Sequence, residues 1–177
     1  MAEPEINRVF LALGSNIDPV RNLTAACDQL AVHGTALVSS RVWETAPIGY
    51  HDQPPFLNAA VLLQTPASVR QLRCEVIPTI ESQLQRKRDP QNRNGPRTID
   101  IDIALFNREV LECDGCCIPD PDILTRPFLA LTLAELDGDY LHPQTGTTLA
   151  EIARKLTDDV SGMRLRHDLE LPGAPRV

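Results

Sequence analysis

Apolar positions along the chain alternate between strand-like runs and helix-like stripes. Ile6 to Leu13 is rich in branched and aromatic residues and stops at Gly14-Ser15-Asn16, which predicts a first strand closed by a turn. Asp18-Pro19 supplies an N-cap and a proline at the first helical position. Val20, Leu23, Ala26, Cys27 and Leu30 then recur at helical spacing as far as Gly34. Ala36 to Trp43 predicts a second strand. Glu44 to Pro55 carries three prolines and a glycine, too many breakers for a regular element, so it reads as a long loop, and such loops are often functional. Phe56 to Thr65 predicts a third strand, and Pro66 to Arg86 a second helix striped by Val69, Leu72, Val76, Ile80 and Leu84 and kinked at Pro78. Lys87 to Arg97 is a second breaker-rich loop, and Thr98 to Phe106 alternates with period two before running apolar, a fourth strand.

That order, β-α-β-β-α-β, predicts an α+β fold of the ferredoxin-like type, with two helices on one face of the sheet. Beyond it, Glu109 to Ile118 predicts an edge hairpin, and Pro127 to Glu135 and Thr148 to Lys155 short helices. The last twenty residues carry little pattern, and no repeat or linker divides the chain.

Composition narrows the functional classes. A length of 177 residues predicts a single domain, 1–177, and 42% hydrophobic with 23% charged residues suffices for a sizeable core. A net charge of −7 disfavours a protein that coats nucleic acid or anionic lipid. The acidic start, Met1 to Glu5, lacks the features of a secretory signal, and apolar runs are only strand-sized, so the expectation is a cytoplasmic protein with no membrane partner. Oligomeric state is left open, with a monomer favoured. Five cysteines form no framework; Cys113, Cys116 and Cys117 resemble half a zinc knuckle without its second pair and read as structural or incidental.

Candidate chemistry concentrates in three places. Asp100 and Asp102 lie two apart on a strand, about 6.6 Å along the backbone, so both carboxylates project from one face. Two such carboxylates repel each other unless a cation neutralises them, and hard oxygen donors favour Mg²⁺. Arg86, Lys87, Arg88, Arg93 and Arg97 crowd the segment just before that strand, a basic stretch suited to polyphosphate. Phe56 and Asn58 share a strand face after the long loop, which suits a flat heterocycle stacked on the ring with its edge paired to the amide. Phe128 is a candidate for the other face of the ring. An RNA-binding sheet would show more aromatics than the one Trp, two Tyr and four Phe of this chain.

Four segments, taken in order, resemble the 6-hydroxymethyl-7,8-dihydropterin pyrophosphokinase family. They are Ala12-Leu13-Gly14-Ser15-Asn16, Thr45-Ala46-Pro47-Ile48-Gly49, Asp52-Gln53-Pro54 with Phe56 to Ala60, and Gly95-Pro96-Arg97-Thr98-Ile99-Asp100-Ile101-Asp102. The resemblance covers about residues 8 to 156. It implies transfer of the β,γ-pyrophosphoryl group of ATP to the hydroxymethyl group of the dihydropterin, in tetrahydrofolate biosynthesis. It further implies that Asp100 and Asp102 hold two Mg²⁺ ions and that Arg97, Arg86 and Arg88 contact phosphate and assist transfer. Glu81 and Arg126 fall at positions of the ATP site, and Thr45, Ala46, Ile48, Phe56, Asn58 and Phe128 at positions of the pterin site. The chain departs from the family pattern at Asp120, where a histidine is usual, at Asn94, where an aromatic is frequent, at Gln85, where a glycine precedes the basic loop, and at Thr132, where a proline is usual.

Overall fold

The protein is described from a computed structural model covering residues 5–174, apart from 48, 50, 51, 88–90, 93, 114 and 158–161, with the backbone only at Cys113. Its centre is β1 (Asn7–Ser15), which is antiparallel to β4 (Phe56–Thr65) on one side and to β5 (Asp100–Phe106) on the other. β1 runs two residues into the predicted turn. Pairing on both edges carries Gly14 and Ser15 into the sheet, with Gly14 opposite Asn58 and Asp100.

The predicted second strand is broken in two. β2 (Ala36–Ser39) pairs with the far half of β4 and β3 (Trp43–Thr45) with its near half. Ser40 causes the interruption: its hydroxyl accepts from the Ala60 N–H at 2.8 Å, so a side chain takes the place of a ladder carbonyl. The strand order is therefore β5-β1-β4-β3, and β8 (Met163–Leu165) extends it beyond β3.

Strand parity separates two cores. Val9, Leu11 and Leu13 of β1, with Leu57, Ala59, Val61 and Leu63 of β4, face α1 (Pro19–Ala31) and the second helical segment. That segment is α2 (Val69–Gln71), a π-turn over Leu72–Val76 and α3 (Ile77–Gln83). The π-turn sits immediately before Pro78, which has no N–H to give and whose ring crowds the preceding turn; widening the helix there replaces the simple kink. At α1, Asp18 occupies the N-cap position with a left-handed φ of 44° but makes no side-chain cap.

The other face carries Phe10, Ala60, Leu62, Ala104 and Leu105, covered by α4 (Pro127–Leu136) and α5 (Leu149–Leu156). Helices predicted only as short appendages thus form a second layer on that face. The reason is that α4, Pro-Phe-Leu-Ala-Leu-Thr-Leu-Ala-Glu-Leu, is apolar on most sides and must be buried. The predicted hairpin exists as β6 (Leu111–Cys113) and β7 (Cys116–Ile118), a separate two-stranded sheet. Among the described residues no helix is long and apolar enough to cross a membrane.

Candidate functional site

On the α4 face the sheet is left uncovered at one end, and a cleft of about 270 Å³ opens there. Its floor follows from parity. Ala12 and Gly14 lie on this face of the central strand, flanked by Asn58 of β4 and by Asp100 and Asp102 of β5. A methyl group on Gly14 would sit 3.3 Å from the Asn58 Oδ1, so the small residue keeps the floor low. Thr45, Ala46, Phe56, Asn94, Arg97, Asp120, Asp122, Arg126 and Phe128 complete the walls.

One side of the cleft is a slot with a polar edge. Asn58 is buried and donates from Nδ2 to the Thr45 hydroxyl at 2.9 Å, which leaves its Oδ1 as the acceptor. Phe56 and Phe128 are both half-buried. The Phe56 ring is covered by the Arg97 guanidinium, 5.5 Å from its centroid.

The other side is charged. Asp100 accepts hydrogen bonds on one oxygen from Arg86 and on the other from Arg97. Burial works to raise its carboxyl, but the two guanidinium groups outweigh burial and hold it below the usual carboxylate range. Asp102 faces the cleft. Burial, reinforced by the like charges of Asp100 and Asp120, pushes its carboxyl up to about 7. Asp120 is also raised, chiefly by burial, although it accepts from the Asp122 N–H at 2.8 Å. Carboxylate oxygens crowded in this way fit a hard divalent cation such as Mg²⁺. Among the described residues no three His, Cys, Asp or Glu side chains converge to hold a metal alone, so the remaining coordination positions would fall to phosphate oxygens and water.

The structure brings together Thr45, Ala46, Phe56, Asn58, Phe128, Arg97, Asp100, Asp102 and Arg126 around one cleft. Ile48 and Arg88 lie outside the described residues. Glu81 and Arg86 stand behind the wall. Glu81 is 5% exposed, pairs with Arg86 at 2.8 Å and accepts from the Ile101 N–H at 3.2 Å. Arg86 donates to Glu81, to the Ile99 carbonyl at 2.9 Å and to Asp100. Arg126 forms an ion pair with Asp122 at 2.6 Å on the rim. Cys116 and Cys117 are free thiols outside the cleft lining.

Two residues had no role assigned from sequence. Asn16, 4% exposed, accepts from the Arg97 N–H at 2.8 Å and donates to Gln53 Oε1 at 2.9 Å and to the Pro54 carbonyl at 3.1 Å. It therefore ties both long loops to the end of β1. Asn94 packs on Gly49, whose φ is +84° and where a methyl group would meet the Asn94 Nδ2 at 2.7 Å. Asn94 thus stands in the cleft wall beside Gly49. The turn composition of Gly14-Ser15-Asn16 was a visible signal for Asn16, but its long-range partners were not.

Fold and cleft together define a class: an α+β protein whose open cleft sets paired carboxylates and arginines against an aromatic and amide-edged slot. The chain matches the model of the family described as 7,8-dihydro-6-hydroxymethylpterin-pyrophosphokinase over residues 10–138. It belongs to that family. It is 41% identical over 133 residues to the 2-amino-4-hydroxy-6-hydroxymethyldihydropteridine pyrophosphokinase of Bacillus subtilis, covering 73% of this chain and 78% of the relative. The Pseudomonas aeruginosa protein of the same name is 35% identical over 150 residues, covering 83% and 90%. The Folic acid synthesis protein fol1 of Pneumocystis carinii is 33% identical over 152 residues, and the match spans 85% of this chain but only 20% of that longer protein. A Plasmodium falciparum HPPK-DHPS structure superposes with a TM-score of 0.67 at 15% identity, over 88% of this chain and 46% of that one, a likeness of fold.

Proposed function

We propose that this chain transfers the β,γ-pyrophosphoryl group of ATP to the hydroxymethyl oxygen of 6-hydroxymethyl-7,8-dihydropterin, giving AMP and the dihydropterin pyrophosphate, in tetrahydrofolate biosynthesis. The observation that carries the reading is the row Asn58, Gly14, Asp100 across three neighbouring strands. Two inter-strand spacings put the slot edge and the carboxylates about 10 Å apart across a floor without side-chain bulk. A bicyclic ring held at Asn58 then presents its hydroxymethyl arm to a phosphate held at Asp100 and Asp102.

Each residue has a part in that arrangement. Phe56 and Phe128 stack the pterin, while Thr45 and Ala46 line its edge by backbone groups; the family resemblance assigns Ile48 to the same task. The Asn58 Oδ1 accepts from a ring N–H, while one Nδ2 hydrogen is given to Thr45 and orients the amide. Asp100 and Asp102 would hold two Mg²⁺ ions, whose chemistry when bound is to neutralise triphosphate oxygens and orient the hydroxyl. Arg97 exchanges the Asp100 carboxylate and the Phe56 face for phosphate oxygens as ATP enters, which frees the ring for stacking. Arg86, anchored by Glu81, holds Asp100 in place, so Glu81 acts as a positioning group; Arg126 contacts ATP from the rim, and the family resemblance assigns Arg88 a phosphate contact as well. The hydroxyl oxygen bonds to the β-phosphorus, the bond between the β-phosphorus and the α,β-bridging oxygen breaks, AMP leaves with that oxygen, and the hydroxyl proton passes to solvent.

We read the β5-β1-β4-β3 order as a ferredoxin-like sheet and residues 1–177 as one domain acting in the cytoplasm, a reading supported by β8 joining the main sheet. The test is Mg²⁺-dependent AMP formation. The proposal expects AMP only when hydroxymethyldihydropterin is present. AMP formed equally without the pterin, or none with it, overturns the proposal.

A further inference from the structure

Beyond residue 138, where the family match ends, the chain returns to the sheet and pairs with β3, the strand that carries Thr45. β3 is only three residues long. It pairs with β4 on one edge, Trp43 to Asn58 and Thr45 to Phe56, and with β8 on the other, Trp43 to Leu165 and Thr45 to Met163. Thr45 and Trp43 share the cleft face, so the intervening Glu44 points to the opposite side. There the Glu44 Oε2 accepts from Arg166 Nη1 at 3.1 Å and from Arg164 Nη2 at 3.3 Å.

Arg166 is itself held from two directions. Its guanidinium donates to both carboxylate oxygens of Asp168, at 2.9 and 2.7 Å, and its backbone N–H donates to the Val42 carbonyl at 2.9 Å. Past it, Leu171 enters the core at 6% exposure, and the Gly173 carbonyl accepts from the Ser39 N–H at 3.2 Å. A methyl group on Gly173 would lie 2.6 Å from the Leu37 carbonyl, so the segment is seated tightly against β2. The strap is thus pinned at β2 and at β3, with Arg166 between the two.

We infer that β8 is a clamp on β3, with Arg166 as a positioning residue that fixes Glu44, thereby Thr45, and thereby the orientation of the Asn58 amide toward the heterocycle. This rests on the reading of Asn58 as a pterin-binding group. A strap that merely covered a sheet edge would be indifferent to the Arg166 fork. A strap that orients Thr45 acts selectively on one substrate, because the carboxylates of β5 are three strands away, beyond β4 and β1.

Steady-state kinetics on the full chain, with MgATP and hydroxymethyldihydropterin varied in turn, separate these cases. Arg166→Ala is expected to raise the KM for the pterin about fivefold while the KM for ATP changes less than about twofold. Arg166→Lys, which keeps the charge, recovers most of the loss, and Glu44→Gln reproduces the defect from the β3 side should Arg166→Ala fail to fold. Asn58→Ala is run in parallel. An Asn58→Ala protein with a raised pterin KM beside an Arg166→Ala protein with an unchanged one overturns the clamp alone, as does an equal rise in both KM values for Arg166→Ala. An unchanged pterin KM in Asn58→Ala overturns the slot reading and the clamp with it.

Discussion

Asp102→Asn should make the metal-free protein more stable, although it removes a group assigned to catalysis. Burial and the neighbouring carboxylates move the Asp102 carboxyl from 3.8 to about 7. A displacement of that size corresponds to about 4 kcal/mol as a ceiling. Asp102 faces the solvent-filled cleft, and screening there reduces the expected gain to about 1 kcal/mol. The sign follows from linkage. The folded state holds this proton more tightly than the unfolded chain, so the stabilisation is fully present below pH 3.8 and is lost as pH rises through about 7. Asparagine cannot ionise and escapes that loss. In chelator, thermal unfolding of Asp102→Asn at pH 8 should therefore lie about 2–4 °C above wild type for a chain of this size, and the gap should narrow toward pH 5. A variant less stable than wild type at pH 8, or a gap independent of pH, would refute the reasoning.

Other perturbations probe the remaining parts of the site and core. Asn58→Ala should cost about 1–3 kcal/mol of pterin affinity by calorimetry with nucleotide affinity unchanged, since a heterocycle edge loses its partner. Gly14→Val adds bulk to the floor beside the Asn58 Oδ1; it should weaken pterin binding at least about tenfold, and unaltered affinity would displace the slot from β1. Glu81→Ala leaves the largely buried Arg86 without one of its carboxylates and should destabilise the fold by about 3 kcal/mol in urea unfolding, a structural cost that a purely ATP-contacting residue would not carry. Leu30→Ala, on the face of α1 that packs against the sheet, should cost about 2–5 kcal/mol with substrate affinities retained.

Sequence pattern reached some of these elements and not others, for physical reasons. β4 was legible throughout because its run from Phe56 to Thr65 is continuous and is buried on both faces. The shared face of Asp100 and Asp102 followed from strand parity alone, as did that of Phe56 and Asn58. Parity does not say which helices cover which face, so the second layer under α4 and α5 and the cleft at its end stayed hidden. Long-range partnerships were equally out of reach. Glu81 lies off the apolar stripe of its helix, and nothing in the pattern shows that Arg86 and the Ile101 N–H draw it into the interior. β8 is too short and polar to register, because it depends on β3 for its pairing and on Glu44 for its charges.

The most direct measurement of the central claim is the rate of AMP release, with saturating MgATP and hydroxymethyldihydropterin, from wild type, Asp100→Ala and Asp102→Ala, each shown to be folded by its thermal transition. The account predicts that both variants retain a cooperative transition and lose at least about a thousandfold in rate, the scale expected when charge stabilisation of a transferring phosphoryl group is removed. Near-normal turnover in both folded variants would contradict it.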